Sequence, residues 1–341
     1  MRIIGKIKDI GKRNLSNTLV GKECIDETCN NQRIDNFLFK RFRGVPKSHI
    51  YQILRSGQVR VNGKRINASY RLQLDDIVRI PPIKKTKSNV SNPAQIAQSQ
   101  LVTFKIIFED EALLVIDKPA GMAVHGGSGV SFGVIEQLRA QHPNWKFIEL
   151  VHRLDRETSG ILLLAKKRAA LVDLHRQIRE GLTEKHYLVL VKGKWRNAIQ
   201  HVKLPLNKYV TATGERRVAI SMDARNMQKS LSAHTVVRLQ KVWNDFSLLD
   251  AELKTGRTHQ IRVHLAHLGF PIVGDDKYGD FTLNRQLART KQQPNLSRMF
   301  LHAHTLKFMH PLSGEQLSLM APLSMDLQRF VNGLDGLLEP V

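Results

Sequence analysis

Between Lys84 and Gln100 the chain reads KKTKSNVSNPAQIAQSQ, rich in Ser, Asn and Gln and almost free of bulky apolar side chains. A stretch of that composition buries too little apolar surface to fold and reads as a linker. It divides the 341 residues into a short front part and a long back part, each of which must build its own core. With 42% hydrophobic residues the chain has material for both. Four segments are expected: a flexible extension over 1–31, a small domain over 32–83, the linker over 84–101 and a large domain over 102–338.

In the front part, Ile34, Phe37, Leu38 and Phe42 recur at helical spacing, with Gly44 placed to end the helix. Ile50, Ile53 and Leu54 suggest a second short helix that stops before Gly57. Val59-Arg60-Val61 and Ile66 flank Asn62-Gly63, a strong turn signal between short strands. Leu72 to Ile80 alternates until Pro81-Pro82 stops it. From Arg33 to Pro82 there are 11 Lys/Arg against 3 acids, and Arg33, Lys40, Arg41, Arg43, Lys47 and Arg55 interleave with the apolar helix faces. A cationic helix pair fits a phosphate backbone or structured RNA, although the same charges would also serve simply to keep a small domain in solution.

The whole chain carries 53 Lys+Arg against 30 Asp+Glu, a formal charge of +23. Such an excess draws a polyanion, nucleic acid ahead of a membrane surface, because no helix with a Lys/Arg face opposite a Trp/Phe/Leu face stands out. No apolar run approaches the roughly 18–20 residues that span a bilayer. Cys24 and Cys29 alone form neither a zinc site nor a disulfide framework. Met1–Leu19 lacks the apolar region of a secretory signal, and its basic, acid-poor composition only faintly resembles an organellar transit peptide. The expected location is a bacterial-type cytoplasm.

In the back part, Val102–Glu109 with Leu113–Asp117 and Ser232–Gln240 with Phe246–Lys254 read as hairpin-like strand pairs. Helical patterns run over Ala169–Arg179 and Thr258–Leu268. Consecutive hairpins with interspersed helices argue for an α+β domain with a mixed, mostly antiparallel sheet.

Five segments could carry chemistry. His152-Arg153-Leu154-Asp155-Arg156-Glu157-Thr158-Ser159-Gly160 joins two apolar runs, Phe147–Val151 and Ile161–Ala165, that read as buried strands. Arg153 and Arg156 would favour a charged Asp155, able to act as nucleophile or base, though a surface turn with an Arg–Asp pair has the same string. Thr255 to His264 reads TGRTHQIRVH, with Thr258 as N-cap and free N–H groups beside Arg257 open to an anion. Arg262 is expected near the edge of the packed face, where it could meet a carboxylate. Lys118 to Gly127, KPAGMAVHGG, is a tight loop of structural character. Tyr187 opens a strand and ordinarily belongs to a core. Phe300 to His304 precedes Leu306, Phe308 and Pro311 as a strand-like element with a buried Leu301.

Their order, KPxGxxVH, HRLDxxTSG, KxY, TGRTHQIRVH and LHA followed by L.F.HP, resembles the pseudouridine synthases typified by the ribosomal large-subunit enzymes A, C and D, and most resembles the C type. Arg33 to Pro82 resembles the S4-type RNA-binding module. The resemblance implies a pseudouridine synthase catalytic domain preceded by a small S4-like α/β module, working on 23S ribosomal RNA of the large-subunit precursor. It implies detachment of uracil at N1 and reattachment through C5, without cofactor or metal. Asp155 matches the family's catalytic aspartate, Arg262 the arginine paired with it, Tyr187 and Leu301 the residues packing the target base, and Arg153 the arginine entering the gap left by the flipped nucleotide. Monomer is the default state. Two rivals stand beside this reading: a non-catalytic RNA-binding or ribosome-assembly protein of the same fold, and a nucleic-acid glycosidase in which Asp155 stabilises an oxocarbenium ion.

Overall fold

The computed structural model describes residues 21–42, 45–83, 102–126, 132–212, 214–221, 230–290 and 295–336. The expected linker 84–101, Arg43 and Gly44 lie outside the described residues. The chain divides into two compact units, residues 1–95 and 96–341.

The first unit contains β1 (Gly21–Cys24), α1 (Ile34–Arg41), α2 (Lys47–Arg55), β2 (Arg60–Val61), β3 (Lys64–Arg65) and β4 (Ile77–Ile80). Its sheet has the order β1-β4-β2-β3. Asn62 and Gly63 both take positive φ, 49° and 77°, the conformation a two-residue hairpin needs, and link β2 to β3. Ile34 and Leu38 of α1, Ile50 and Leu54 of α2, and Val78 of β4 form a buried core. One expectation is corrected. Gly21–Cys24 belongs to this unit and pairs antiparallel with β4, and Ile25 is buried, so the flexible extension does not reach residue 31. A four-residue edge strand of sequence GKEC shows too little apolar alternation to be recognised; its backbone pairing holds it.

The second unit runs through β5 (Lys105–Glu109), β6 (Leu113–Lys118), α3 (Val134–Gln141), β7 (Glu149–Leu150), β8 (Ser159–Ala165), α4 (Arg168–Glu180) and β9 (Glu184–Lys192). It continues with β10 (Ile199–Val202), β11 (Leu206–Val210), β12 (Arg216–Ile220), β13 (Thr235–Val242), β14 (Phe246–Leu253) and α5 (Gln260–His267). It ends with α6 (Phe281–Arg289), β15 (Leu301–Met309), β16 (Gln316–Met320) and α7 (Met325–Gly336). The main sheet has the order β10-β13-β14-β9-β15-β8-β6-β5, with β16 on β15 and β7 on β8. Among the described residues only the β15–β8 contact is parallel, so the sheet is mixed and mostly antiparallel. Of the expected strand Phe147–Val151, Glu149–Leu150 pairs with the edge of β8 that β6 leaves open, and the Val151 N–H donates to the Leu163 carbonyl (3.1 Å).

The central strands are buried on both faces. Leu162 and Leu164 of β8 join Leu138 of α3 and Leu265 of α5 in one core, while Leu163 joins Leu174 of α4 in another. Among the described residues, no helix is long and apolar enough to cross a membrane.

Gly160 sits where β8 meets β15, with φ +103° and the place of a Cβ only 2.2 Å from the Ala303 carbonyl oxygen. Gly160→Val should therefore destabilise this unit by about 3 kcal/mol or more, combining backbone strain with overpacking. The three tryptophans, Trp145, Trp195 and Trp243, all lie in the second unit. Their fluorescence during urea unfolding reports that change, and an unshifted midpoint would contradict it.

Candidate active site

The loop carrying Asp155 lies between β7 and β8 and is fastened from three sides. The Thr158 N–H donates to the Asp155 carbonyl (3.2 Å), closing a turn over the buried Leu154. His152 Nε2 accepts from the Leu163 N–H (3.1 Å), and burial pushes the pKa of that ring down to about 4. Lys118, fully buried at the end of β6, donates from Nζ to the carbonyls of Pro119 (2.8 Å), Met122 (2.8 Å) and Arg156 (3.1 Å). It thus ties the KPAGM loop to the Asp155 loop, and burial lowers its pKa to about 7. The loop's structural character was legible in the sequence; the buried ammonium at its start was not, although a Lys ending the run LLVID was its signal.

Helix α5 begins differently from expectation. Its N-cap is His259, in the left-handed region with φ 54°, and not Thr258. The Gln260 side chain braces the segment leading into the helix. Its Oε1 accepts from the Arg257 N–H (3.0 Å) and the Thr255 hydroxyl (2.8 Å), and its Nε2 donates to the His234 carbonyl (3.0 Å). The N–H of Arg257 itself is therefore occupied. Arg257 keeps an exposed side chain whose Nε donates to the Ser232 carbonyl (3.0 Å).

Arg262 is buried, with its side chain only 3% exposed, and does not lie at the edge of the packed face. Asp275 makes that burial tolerable by accepting from Nε and Nη2 in a two-pronged pair, both at 2.7 Å. Nη2 also reaches Asp276 (3.0 Å), and Nη1 donates to Asp155 Oδ2 (3.3 Å). Burial alone would lower the arginine's pKa, yet the hydrogen bonds and charge of Asp275 outweigh it and raise it. The Asp275 carboxyl, against the same burial, is held below the usual range by Arg262. The Arg262 guanidinium lies 5.2 Å from the centre of the Tyr278 ring, whose hydroxyl meets His259 Nδ1 (2.9 Å). His259 Nε2 stands 3.8 Å from Asp155 Oδ2, and burial lowers the histidine's pKa despite that carboxylate.

Tyr187 and Leu301 come from adjacent strands, β9 and β15. Leu301 pairs with Val189 and Ala303 with Tyr187, so the tyrosine and leucine project from one face as diagonal neighbours. Both line an open cleft together with Arg153, Asp155, His259 and Arg262. Burial, with a further contribution from the Asp155 charge, raises the phenol pKa of Tyr187. The expected set Arg153, Asp155, Tyr187, Arg257, Arg262 and Leu301 is therefore gathered around one cavity. Asp275, Tyr278 and His259 were missed; the run DDKYG after an apolar strand residue was the only hint of the first two.

The remaining expected residues belong to the first unit. Lys40, Arg41, Lys47 and Arg55 are exposed, Arg41 pairs with Glu23 (3.0 Å), and Lys47 sits over the Phe39 ring. Arg33 pairs with the buried Asp35 (2.6 Å) and so also serves the fold. Among the described residues, no group of three or more His, Cys, Asp or Glu could hold a metal ion.

A second neutral histidine supports β15. His302 is fully buried, donates from Nε2 to the Ala321 carbonyl (3.2 Å) and accepts at Nδ1 from the Ser159 hydroxyl (2.9 Å). Burial lowers its pKa from 6.5 to about 4. The unfolded chain then binds the proton more readily, so the stability this group contributes is complete above pH 6.5 and lost as pH falls to about 4. The urea midpoint should fall over that window, with His302→Gln shrinking the fall. A fall of the same size in the variant would remove His302 from the explanation.

Comparison with known proteins places this site in a family. The sequence model of the family RNA pseudouridylate synthase matches residues 112–267, and that of the S4 domain matches residues 32–78. The chain is 47% identical over 304 residues to ribosomal large subunit pseudouridine synthase C of Pasteurella multocida (strain Pm70), covering 89% of this chain and 90% of the relative. It is 47% identical over 305 residues to the enzyme of that name from Escherichia coli (strain K12), covering 89% and 93%. Among solved structures, human RNA pseudouridylate synthase domain containing 4 superposes with a TM-score of 0.54 at 23% identity, over 68% of this chain and 93% of that one. Human RNA pseudouridylate synthase domain containing 1 gives 0.54 at 23% identity, over 72% and 100%, and the two share the fold. The chain belongs to the RNA pseudouridylate synthase family.

Proposed function

We propose that this enzyme isomerises specific uridines of large-subunit ribosomal RNA to pseudouridine, with Asp155 as its catalytic residue. The observation that carries the reading is the 3.3 Å contact from Arg262 Nη1 to Asp155 Oδ2 at the wall of a cleft shared with Tyr187 and Leu301. In the reaction the C1′–N1 bond breaks, C1′ joins C5, and the C5 proton leaves while N1 gains one. A carboxylate beside a fixed guanidinium is equipped to attack at the sugar or the base, or to take a proton. Arg262 aims it, and the two-pronged hold of Asp275 aims Arg262. Tyr187 is a packing wall: its buried ring beside Leu301 offers a flat face for the target base, and burial disfavours the phenolate. Leu301 completes the apolar lining, and Arg153, exposed at the mouth, enters the space the extruded base leaves.

Base extrusion costs a few kcal/mol and least in unpaired segments. Phosphate contacts can offset it. The exposed Lys40, Arg41, Lys47 and Arg55, with Arg33 and Arg43, supply them in the S4 unit, and Arg257 does so at the cleft. Unpaired target segments are most accessible in the large-subunit precursor, before assembly buries them. Mapping pseudouridines in 23S RNA from cells lacking this gene tests the reading. Particular pseudouridines should vanish and return when the gene is restored; an unchanged map would sink the ribosomal substrate.

A further inference from the structure

Tyr51 belongs to the first unit, but the core of that unit does not use it. Helix α2 turns Ile50, Ile53 and Leu54 inward, and Tyr51 lies off that stripe, 37% exposed. Among the described residues its hydroxyl has no hydrogen-bond partner. Tyr70 shows the contrast: half-buried, it packs on the core and donates its hydroxyl to Asp76 Oδ2 (3.0 Å). The exposed ring is nonetheless held in place. Phe39 of α1 meets it edge to face, with centroids 5.6 Å apart and planes at 78°, a favoured arrangement for two rings.

Lys47 and Arg55 stand four residues before and after Tyr51, so the three exposed side chains share one face of α2. The helix, KSHIYQILR, contains no acid, and among the described residues neither Lys47 nor Arg55 forms an ion pair. Arg55 Nε donates back to the Tyr51 carbonyl (3.4 Å), and Lys47 Nζ lies 5.3 Å from the centre of the Phe39 ring. Both cations are thereby kept beside the aromatic pair. A fixed ring between two free cations has the elements that hold unpaired nucleic acid, a face for a base and charges for the phosphates around it. A duplex would use the cations but hides the faces of its bases, and an acidic peptide would leave the ring idle.

We infer that Tyr51 is a base-stacking site of the S4 unit, which takes one unpaired base of the substrate RNA while Lys47 and Arg55 hold the phosphates on either side of it. The inference rests on the RNA substrate proposed above and deepens it. The S4 unit then selects for a second unpaired base besides the target uridine, and not for phosphate charge alone.

The test uses the full chain and two probes, an unstructured A/C oligoribonucleotide, which lacks uridine, and a blunt RNA duplex. Tyr51→Leu, a change at an exposed position, should bind the single strand about tenfold more weakly, the scale of one lost base contact, and the duplex like wild type. Its salt dependence on the single strand should be unaltered, whereas Lys47→Ala should flatten that dependence by about one phosphate contact. Tyr51→Phe should bind like wild type, since the ring and not the hydroxyl does the stacking. In Tyr51→Trp the single strand should quench tryptophan emission beyond the change seen in the wild-type chain, and the duplex should not; this arm stands even where Tyr51→Leu disturbs α2. On a 23S RNA fragment carrying a mapped target, Tyr51→Leu should raise the half-saturating enzyme concentration about tenfold and leave the saturated rate of pseudouridine formation unchanged. The inference is overturned if Tyr51→Leu binds the single strand like wild type, if it loses equally on the duplex, if Tyr51→Phe loses as much, or if Tyr51→Trp adds no quenching. Failure of the wild type to form pseudouridine in that fragment would instead sink the isomerase reading, on which the uridine-free binding arms do not depend.

Discussion

Asp155→Asn should lose turnover by roughly 10⁴-fold or more, the scale of removing a reacting group, while affinity for unmodified 23S RNA stays within a few-fold. Asparagine has the same shape, and its Oδ1 can still accept from Arg262 Nη1, so the change removes charge and nucleophilicity without emptying the site. The loop itself is held by Lys118, His152 and the Thr158 turn, none of which uses the Asp155 side chain. Single-turnover assays beside filter binding separate chemistry from recognition. A parallel tenfold loss of affinity would assign Asp155 to the scaffold.

The second large effect concerns stability. Asp275 is fully buried and takes two of the Arg262 hydrogen bonds, so Asp275→Ala leaves a buried guanidinium short of its principal counter-charge. Breaking such a pair from one side costs about 3–5 kcal/mol, a large share of the roughly 5–15 kcal/mol that holds a domain together. Asp276, 60% exposed, contacts Nη2 alone and is a poor substitute. Asp275→Asn keeps one acceptor and should lose less stability, but Arg262 would then be less firmly aimed and turnover should fall. Tryptophan fluorescence in urea measures the stability change, and an Asp275→Ala midpoint equal to wild type would refute the arrangement.

Much of this is legible in the sequence. Asn62-Gly63 announced its turn because only a few residues accept positive φ, and the two long hairpins announced themselves through alternation. The charged run between apolar segments located Asp155, because polar groups at the ends of core strands are costly unless used. What stayed hidden was set by long-range packing. Arg262 looked like an edge residue since nothing within one helical turn reveals a carboxylate 13 residues later. Thr258 looked like the cap, yet His259 takes that place in the left-handed region, and its side chain makes no capping hydrogen bond. The parallel pairing of β15 with β8 joins residues more than 140 positions apart and leaves only Gly160 as a local trace.

The decisive measurement is product analysis of wild-type chain and Asp155→Asn on unmodified 23S RNA tritiated at uridine C5. Wild type should release tritium to water and leave pseudouridine in the digested RNA with no free uracil, and the variant should release none above background. Free uracil with abasic sugar from the wild type, or undiminished release by the variant, would contradict an isomerase built on the carboxylate at position 155.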